Sequence, residues 1–253
     1  RKIILDISYN CGVPSHIGGA LSIVEVLSVI YSNFNIKIKK PLDRFILSKG
    51  HGFLALLAVL HCKGFIKNKK NLLKFQKNES EFIAHPIMNK SIGIETSNGS
   101  LGQGLSFGVG LAISYKKKKK KNSIIVVVGD GECYEGSVWE AAITATEQNL
   151  SNLFVVVDCN GHQNDGAINK MMSYIEMKKK WKGFGWHVNS CDGHNIPALI
   201  KAFKKNSKTK PTAIIIKTIK GKGVNFMENN NDWHHGRLTK ELYLQSIKSI
   251  NLN

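Results

Sequence analysis

The sequence predicts one α/β domain, built as a doubly wound, mostly parallel sheet with helices on both faces. A length of 253 residues is enough to bury one large core. Residues 124–128 and 153–158 are short runs rich in β-branched residues, which is typical of parallel strands buried on both faces. Segments with apolar residues at helical spacing alternate with such runs, and this alternation favours a doubly wound sheet.

The elements follow one another in a regular order along the chain. Helices are predicted at residues 18–34, 52–62, 102–115, 136–149 and 196–205. Residues 186–188 and 213–217 continue the series of strands. We interpret the lysine run 116–121 and the polar residues 160–166 as loops. We therefore expect a single domain over residues 1–253, with ligands bound beyond the carboxyl ends of the strands.

The net charge of +18 raises the question of a nucleic acid or an anionic membrane as partner. Only Arg1, Arg44 and Arg237 among the 36 basic residues are arginine, so the planar guanidinium that reads bases is almost absent. The lysine runs also have few aromatic residues among them that would stack on bases. We interpret these runs as solvated surface and expect neither a nucleic acid nor a membrane as partner.

Cysteine usage and the amino-terminal residues indicate the compartment. No run of 18 apolar residues occurs, and residues 1–19 lack the apolar core of a signal peptide, so we expect a cytoplasmic protein. The five cysteines form no CxxC pair, which argues against disulfides and zinc. Small buried side chains in a reducing compartment are expected at Cys11, Cys62, Cys133, Cys159 and Cys191.

Two polar turns follow neighbouring predicted strands. Gly129-Asp130-Gly131 comes directly after one strand and Asn160 directly after the next. Mg²⁺ prefers oxygen ligands and commonly takes one or two from side chains and the rest from phosphate and water. The glycines beside Asp130 allow a diphosphate to approach the backbone, and the following helix presents its positive end. Asp130 and Asn160 are therefore a candidate site for magnesium and a diphosphate.

Other phosphate-binding patterns fit less well. Gly102, Gly104 and Gly108 resemble a dinucleotide-binding loop, but no buried strand precedes them, so close helix packing explains them better. Residues 48–50 lack the glycine spacing of a P-loop. No Ser-His-Asp order suggests a hydrolase.

A GDG triplet followed after about 30 residues by asparagine resembles the thiamine diphosphate signature of the transketolase family. Similar blocks extend over essentially the whole chain. They are SHIGG (15–19), LSKGHG (47–52), AHP (84–86), GSLGQG (99–104), residues 129–136, residues 158–166 and KGKGV (220–224).

The resemblance implies roles for particular residues. The side chains of Asp130 and Asn160 and the backbone carbonyl of His162 would bind magnesium. Thiamine diphosphate would be bound by His51, Gly99, Leu101, Asp130, Gly131, Glu135, Asn160 and His234. The catalytic histidines would be His16, His51, His85 and His234. Imidazole suits these roles because it both donates hydrogen bonds to anions and exchanges protons near neutral pH.

Some assignments within the resemblance are less direct. Either His234 or His235 matches the histidine of the family, and we favour His234 because it follows Trp233 directly. Glu135 and Glu140 match acidic positions near the subunit interface of the family. Asp165 lies in the same polar loop without an assigned role, and His61, His187 and His194 are expected to be structural.

The resemblance also implies an activity and a partner. Transketolases transfer a two-carbon ketol unit from a ketose phosphate to an aldose phosphate, as in the pentose phosphate pathway, and need a second domain that binds the aminopyrimidine ring. We expect that pyrimidine-binding domain on a separate carboxyl-terminal subunit, in a heterotetramer with two copies of each chain. The alternatives are an enzyme similar to deoxyxylulose-phosphate synthase and a non-catalytic nucleic-acid-binding protein on a decayed scaffold.

Overall fold

A five-stranded parallel sheet forms the centre of the protein. The structure is a computed structural model that describes residues 1–40 and 42–252; Pro41 and Asn253, within the predicted domain 1–253, lie outside the described residues. The order of the strands in the sheet is β1-β2-β3-β7-β6, and every neighbouring pair in it is parallel. The strands are β1 (Arg44–Leu47), β2 (Ile124–Gly129), β3 (Leu153–Cys159), β4 (His162–Gln163), β5 (Gly166–Ala167), β6 (His187–Asp192) and β7 (Thr212–Lys217). The strands β4 and β5 form a separate antiparallel pair.

Ten α-helices surround the sheet in the described part of the chain. They are α1 (Lys2–Cys11), α2 (Ile17–Leu21), α3 (Val24–Asn33), α4 (Phe53–Cys62), α5 (Lys69–Leu72), α6 (Gln103–Lys117), α7 (Gly136–Glu147), α8 (Tyr174–Gly183), α9 (Ile196–Lys204) and α10 (Lys240–Asn251).

Successive residues of the central strands enter two different cores. On β2, Ile125 and Val127 pack with residues of α1, α3, α4 and α9, whereas Val126 and Val128 pack with residues of α6, α7 and α8. This alternation is the period of two that a strand imposes on its side chains. Helices therefore cover both faces of the sheet, which confirms the predicted doubly wound α/β class.

One predicted helix is in fact two. The prediction of a continuous helix over residues 18–34 is wrong, because α2 ends at Leu21 and α3 begins at Val24. At the break, the Ser22 hydroxyl donates to Asp158 Oδ2 at 2.7 Å and contacts the Gly19 carbonyl at 2.9 Å. A serine side chain that bonds in this way competes with regular helix geometry. The break therefore follows from a distant contact that helical periodicity does not show.

Two predicted loops also need correction. The helix α6 continues to Lys117, so the lysine run is helical at its start. Residues 160–166 were predicted as a loop, but they contain β4 and the first residue of β5. Five elements were not predicted from the sequence: α1, β1, α5, α8 and α10.

The glycines of α6 confirm the predicted close packing. A Cβ added at Gly104 would lie 2.6 Å from the Ser48 Cβ, and one at Gly108 would lie 2.6 Å from Val126 Cγ2. These distances are too short for a real Cβ, so glycine is required where the helix packs on the sheet. The glycine pattern therefore serves helix packing.

No helix in the described residues is long and apolar enough to cross a membrane. All five cysteines are free. Three of them are buried as predicted, but the prediction is wrong for Cys62, which is exposed, and for Cys191, which is half-buried.

Candidate functional site

A cleft lies at the carboxyl ends of β2 and β3. Gly129 is opposite Asp158 in the parallel register, and the backbone N–H of Asp130 donates to the Asp158 carbonyl at 3.1 Å. This register places the turn after β2 beside the turn after β3. A cavity of about 380 Å³ opens between them. Its lining residues are His51, Leu101, Gly129, Asp130, Gly131, Glu132, Tyr134, Glu135, Asn160, His162, Gln163, Asn164, Asp165 and His234.

Asp130 is a buried carboxylate with only backbone donors. Its side chain accepts hydrogen bonds from Gly131 N at 2.9 Å and from Gly161 N at 2.8 Å. Burial raises the pKa of Asp130 to about 7, and the nearby negative charge of Asp158 acts in the same direction. A buried acid of this kind gains from a cation beside it, because a positive charge offsets both effects.

Asn160 is held beside Asp130 by the residues around it. Its Nδ2 donates to Asp158 Oδ2 at 3.1 Å, and its Oδ1 accepts from the His162 backbone N–H at 3.1 Å. Asp158 also forms a fully buried ion pair with Lys49. Burial alone would raise the pKa of Asp158, but the Lys49 ammonium and the hydrogen-bond donors hold it below its usual value.

Glu132 is a second buried acid at the floor of the cleft. It accepts hydrogen bonds from the Ser48 hydroxyl, from Gly102 N at 2.9 Å and from Gly129 N at 3.1 Å. Burial raises the pKa of this carboxyl. Glu132 therefore connects the ends of β1 and β2 to the start of α6.

A cluster of five imidazole rings, His16, His51, His85, His234 and His235, lies beside the cleft, and two of them, His51 and His234, line it. The centroid of His16 lies 5.9 Å from His51, 5.4 Å from His85, 5.5 Å from His234 and 4.5 Å from His235. The rings of His51 and His234 are stacked at 5.6 Å. The structure therefore brings together all four histidines that were predicted as catalytic.

Four of these rings, His16, His51, His85 and His234, are held in the neutral form. Burial lowers the pKa of His16 to about 3, and the neighbouring histidines add to this effect. Burial also lowers the pKa of His234 to about 4, helped by the charges of Lys220 and Lys49. The pKa values of His51 and His85 are lowered as well, mainly by burial. Neutral imidazoles offer both a donor and an acceptor to a polar ligand.

His234 and His235 occupy different positions in the cluster. His234 lines the cavity with Asp130, and its Nδ1 lies 2.9 Å from Lys220 Nζ. His235 is exposed and packs against His16 instead. Burial lowers the pKa of Lys220 to about 8, so this side chain still carries most of its charge at pH 7.

The remaining predicted residues lie at different distances from the cleft. Leu101, Gly131, Glu135, His162 and Asp165 line the cavity. Gly99 lies outside this lining and faces His85, where an added Cβ would lie 3.5 Å from the ring. Glu140 is exposed on α7, beyond the cavity.

The three histidines predicted as structural each contact polar groups outside the cluster. His61 contacts the Ile66 carbonyl at 2.7 Å and His187 the Lys205 carbonyl at 2.7 Å. His194 lies between Glu25 Oε2 at 3.0 Å and the Ile219 N–H at 2.9 Å.

Comparison with known proteins identifies the family. Residues 6–250 match the family described as "Transketolase, thiamine diphosphate binding domain". The chain belongs to the transketolase family. A curated relative, the 6-deoxy-6-sulfo-D-fructose transketolase subunit SqwG of Clostridium sp. (strain MSTE9), is 37% identical over 257 residues, which cover 99% of this chain and 93% of that protein.

Further relatives differ in the fraction of their own length that this chain covers. An apulose-4-phosphate transketolase subunit of Phocaeicola vulgatus is 37% identical over 99% of this chain and 90% of that subunit. Human transketolase is 35% identical over 93% of this chain but only 38% of its own length. A crystal structure of transketolase from Campylobacter jejuni superposes with a TM-score of 0.89 at 26% identity, and the match covers 99% of this chain and 41% of that one. The chain thus spans about two fifths of the solved transketolase.

The residues of this transketolase domain fit a magnesium ion and a diphosphate. Asp130 has spare lone pairs, little solvent contact and no side-chain cation bonded to it. No cluster of three or more histidine, cysteine or acidic side chains suited to a metal occurs in the described residues. An added Cβ at Gly131 would lie 2.9 Å from Gln163 Cβ, so glycine is required where this turn packs against β4.

Several residues that build this transketolase site were not predicted from the sequence. Lys49, Asp158 and Lys220 are fully buried, yet none was assigned a role. Glu132 was also overlooked. A charged residue at the end of an aliphatic strand, as Asp158 is, gives a signal that points to such a group, because burying a charge requires a partner.

Proposed function

We propose that the chain is the amino-terminal subunit of a split transketolase that transfers a two-carbon ketol unit between sugar phosphates. The observation that carries this proposal is the cleft in which Asp130 and Asn160 meet a cluster of neutral histidines. Membership of the transketolase family supports the same reaction class.

In this proposal, magnesium and the cofactor occupy the Asp130 side of the cleft. The side chains of Asp130 and Asn160 and the backbone carbonyl of His162 bind Mg²⁺. The residues that contact thiamine diphosphate are His51, Gly99, Leu101, Asp130, Gly131, Glu135, Asn160 and His234. When bound, thiamine diphosphate supplies a carbanion that attacks the ketose carbonyl.

The protein itself binds, orients and exchanges protons. His51 and His234 donate hydrogen bonds to anionic oxygen, while the charge of Lys220 favours a phosphate group nearby. His16 and His85 face the substrate and hold its hydroxyl and carbonyl oxygens. Because their pKa values are low, these imidazoles stay neutral at pH 7 and can accept a hydrogen bond from a substrate hydroxyl.

We propose that the partner is a separate carboxyl-terminal subunit, which carries the pyrimidine-binding domain. This proposal is supported by relatives named as subunits, of which the chain covers 90% and 93%. We propose a heterotetramer with two copies of each chain, in which Glu135 and Glu140 lie near the subunit interface.

The proposed substrates are xylulose 5-phosphate and ribose 5-phosphate of the pentose phosphate pathway, in the cytoplasm. The relatives named for 6-deoxy-6-sulfo-D-fructose and apulose 4-phosphate define two other donors that a test must include. Free cysteines in the described residues agree with a reducing compartment.

The proposal is tested by purifying the chain from its native cell together with whatever binds it stoichiometrically. With Mg²⁺ and thiamine diphosphate, the complex should convert xylulose 5-phosphate and ribose 5-phosphate into sedoheptulose 7-phosphate and glyceraldehyde 3-phosphate. The other two donors and pyruvate are assayed in parallel.

Three results would contradict parts of the proposal. Faster turnover of either alternative donor would reject the pentose phosphate assignment. Formation of deoxyxylulose phosphate from pyruvate would indicate the synthase-like alternative. Tight, salt-dependent binding of duplex DNA without cofactor uptake would indicate the non-catalytic alternative.

A further inference from the structure

Asp158 is a fully buried carboxylate at the base of the cleft that joins four separate segments. It accepts hydrogen bonds from Ser22 between α2 and α3, Lys49 after β1, Thr218 after β7 and Asn160 after β3. The separations along the chain reach 136 residues. Asp158 does not line the cavity, so it acts on a ligand through other residues.

The contact with Asn160 has a chemical consequence for the amide. A side-chain amide can rotate by half a turn and exchange its oxygen and nitrogen, but an ionised carboxylate only accepts hydrogen bonds. Nδ2 of Asn160 therefore has to face Asp158, at 3.1 Å. Oδ1 is then fixed on the other side, where it accepts from the His162 N–H and keeps a lone pair for a cation.

The ion pair with Lys49 keeps Asp158 in this role. The Nζ atom of Lys49 contacts Asp158 Oδ2 and also donates to the Gly19 carbonyl at 3.2 Å. Both side chains are fully buried, so neither charge has water as an alternative partner. The same oxygen, Oδ2, accepts from Lys49, Ser22 and Asn160. The position of the Asn160 amide is thereby tied to the segments that carry Ser22 and Lys49.

We propose that Asp158 is a positioning residue that fixes the amide oxygen of Asn160 toward the bound Mg²⁺ without touching the ion. This inference rests on the proposed function, because it takes Mg²⁺ as the ligand of Asn160. Residues that orient metal ligands typically change metal affinity by about 10–100-fold when they are replaced.

The decisive variant is Asp158→Asn, because asparagine has the same shape but can donate as well as accept. It can face either end of the Asn160 amide, so the ligand orientation is no longer imposed. The complex with its partner is titrated with Mg²⁺ at saturating thiamine diphosphate, and cofactor binding is followed by calorimetry. We expect the apparent Kd for Mg²⁺ to rise about 10–100-fold. Binding of the cofactor at saturating Mg²⁺ should recover.

A matched control separates positioning from stability. Asp6 is also a buried carboxylate and accepts from Lys2, Lys69 and Tyr243, but it lies on α1 outside the cleft. Asp6→Asn should lower the unfolding temperature without changing the apparent Kd for Mg²⁺. A purely structural role of Asp158 would give this same pattern for Asp158→Asn and would overturn the inference.

A second variant covers the case in which Asp158→Asn does not fold because Lys49 loses its partner. The double variant Lys49→Met, Asp158→Asn removes both buried charges at similar volume. It should show the same rise in the Kd for Mg²⁺. A folded double variant with the wild-type Kd would refute the positioning role while leaving the proposed function intact. Absence of magnesium-dependent cofactor binding in the wild-type complex would refute both.

Discussion

Asp130 lines the cleft and His16 belongs to the histidine cluster beside it, and these two regions are organised in different ways. The region of Asp130 and Asn160 is called the metal side. There, hydrogen bonds with backbone groups and buried side chains fix the Asp130 carboxylate and the Asn160 amide. On the histidine side, formed by the cluster of five imidazoles, only His234 has a side-chain hydrogen bond within the described residues. The oxygens of Asp130 and Asn160 are therefore fixed by neighbouring groups, whereas His16, His51 and His85 are neutral rings without such side-chain hydrogen bonds in the described residues.

The largest effect is expected on the metal side. Asp130→Ala removes the buried carboxylate that we assign to Mg²⁺, so the Kd for thiamine diphosphate in the presence of Mg²⁺ should rise roughly 100-fold or more. Isothermal titration of the complex measures this change. Asp165→Ala, at an exposed position of the same cavity, serves as control and should change the Kd little. An unchanged Kd in Asp130→Ala would show that the metal side has been misassigned.

A smaller effect should distinguish the two adjacent histidines. His234→Gln removes a donor beside Lys220 from the cavity, so thiamine diphosphate should bind about tenfold more weakly, as expected for one hydrogen bond to an anion. His235→Gln should leave that Kd unchanged, because His235 contacts His16 at the exposed rim. The same titration applied to both variants makes the comparison. If His235→Gln weakened the cofactor more, the assignment of the two residues would be reversed.

A third effect concerns acid, to which Asp130 and His16 should respond in opposite directions. The pKa of Asp130 is raised to about 7, so the folded state takes up a proton before the unfolded state does, and acidification from pH 7 to 5 stabilises the cofactor-free protein. The pKa of His16 is lowered to about 3, so the unfolded state binds the proton first. The contribution of His16 is then present above its unfolded pKa near 6.5 and is lost as the pH falls toward 3.

Urea unfolding of the cofactor-free complex at pH 7 and pH 5 tests these signs. On acidification from pH 7 to pH 5, the free energy of unfolding of Asp130→Asn should change unfavourably, relative to that of the wild type, by on the order of 2 kcal/mol. The free energy of unfolding of His16→Gln should change favourably on the same acidification, relative to that of the wild type, by on the order of 1 kcal/mol after allowance for partial exposure. Identical pH dependence of the free energy of unfolding in all three proteins would contradict the opposite pKa shifts of Asp130 and His16.

The metal side could be predicted largely from local sequence. Asp130 and Asn160 each follow an aliphatic run, and parallel strands place such turns at one edge of the sheet. The proximity of the histidines came from the family resemblance instead, because His16, His85 and His234 are far apart in the chain and no periodicity connects them.

What the sequence did not reveal depends on long-range contacts. Lys49 and Asp158 are 109 residues apart, and each taken alone is an ordinary charged residue. The strand β1 was missed because it has four residues, of which Arg44 is polar. The break between α2 and α3 was missed because Ser22 bonds to Asp158, 136 residues away. Local patterns therefore located the ligand-facing turns but not the buried groups that support them.

The buried pair of Lys49 and Asp158 also bears on how the strands find their alignment during folding. Both faces of β2 and β3 are aliphatic and fully covered, so a slip by one residue would exchange one valine for another. Hydrophobic burial alone then discriminates weakly between neighbouring alignments. A slipped sheet would, however, leave an ammonium and a carboxylate in the interior without partners, at a cost of several kcal/mol per ion. We expect these two charges to select the correct strand alignment before any ligand is present.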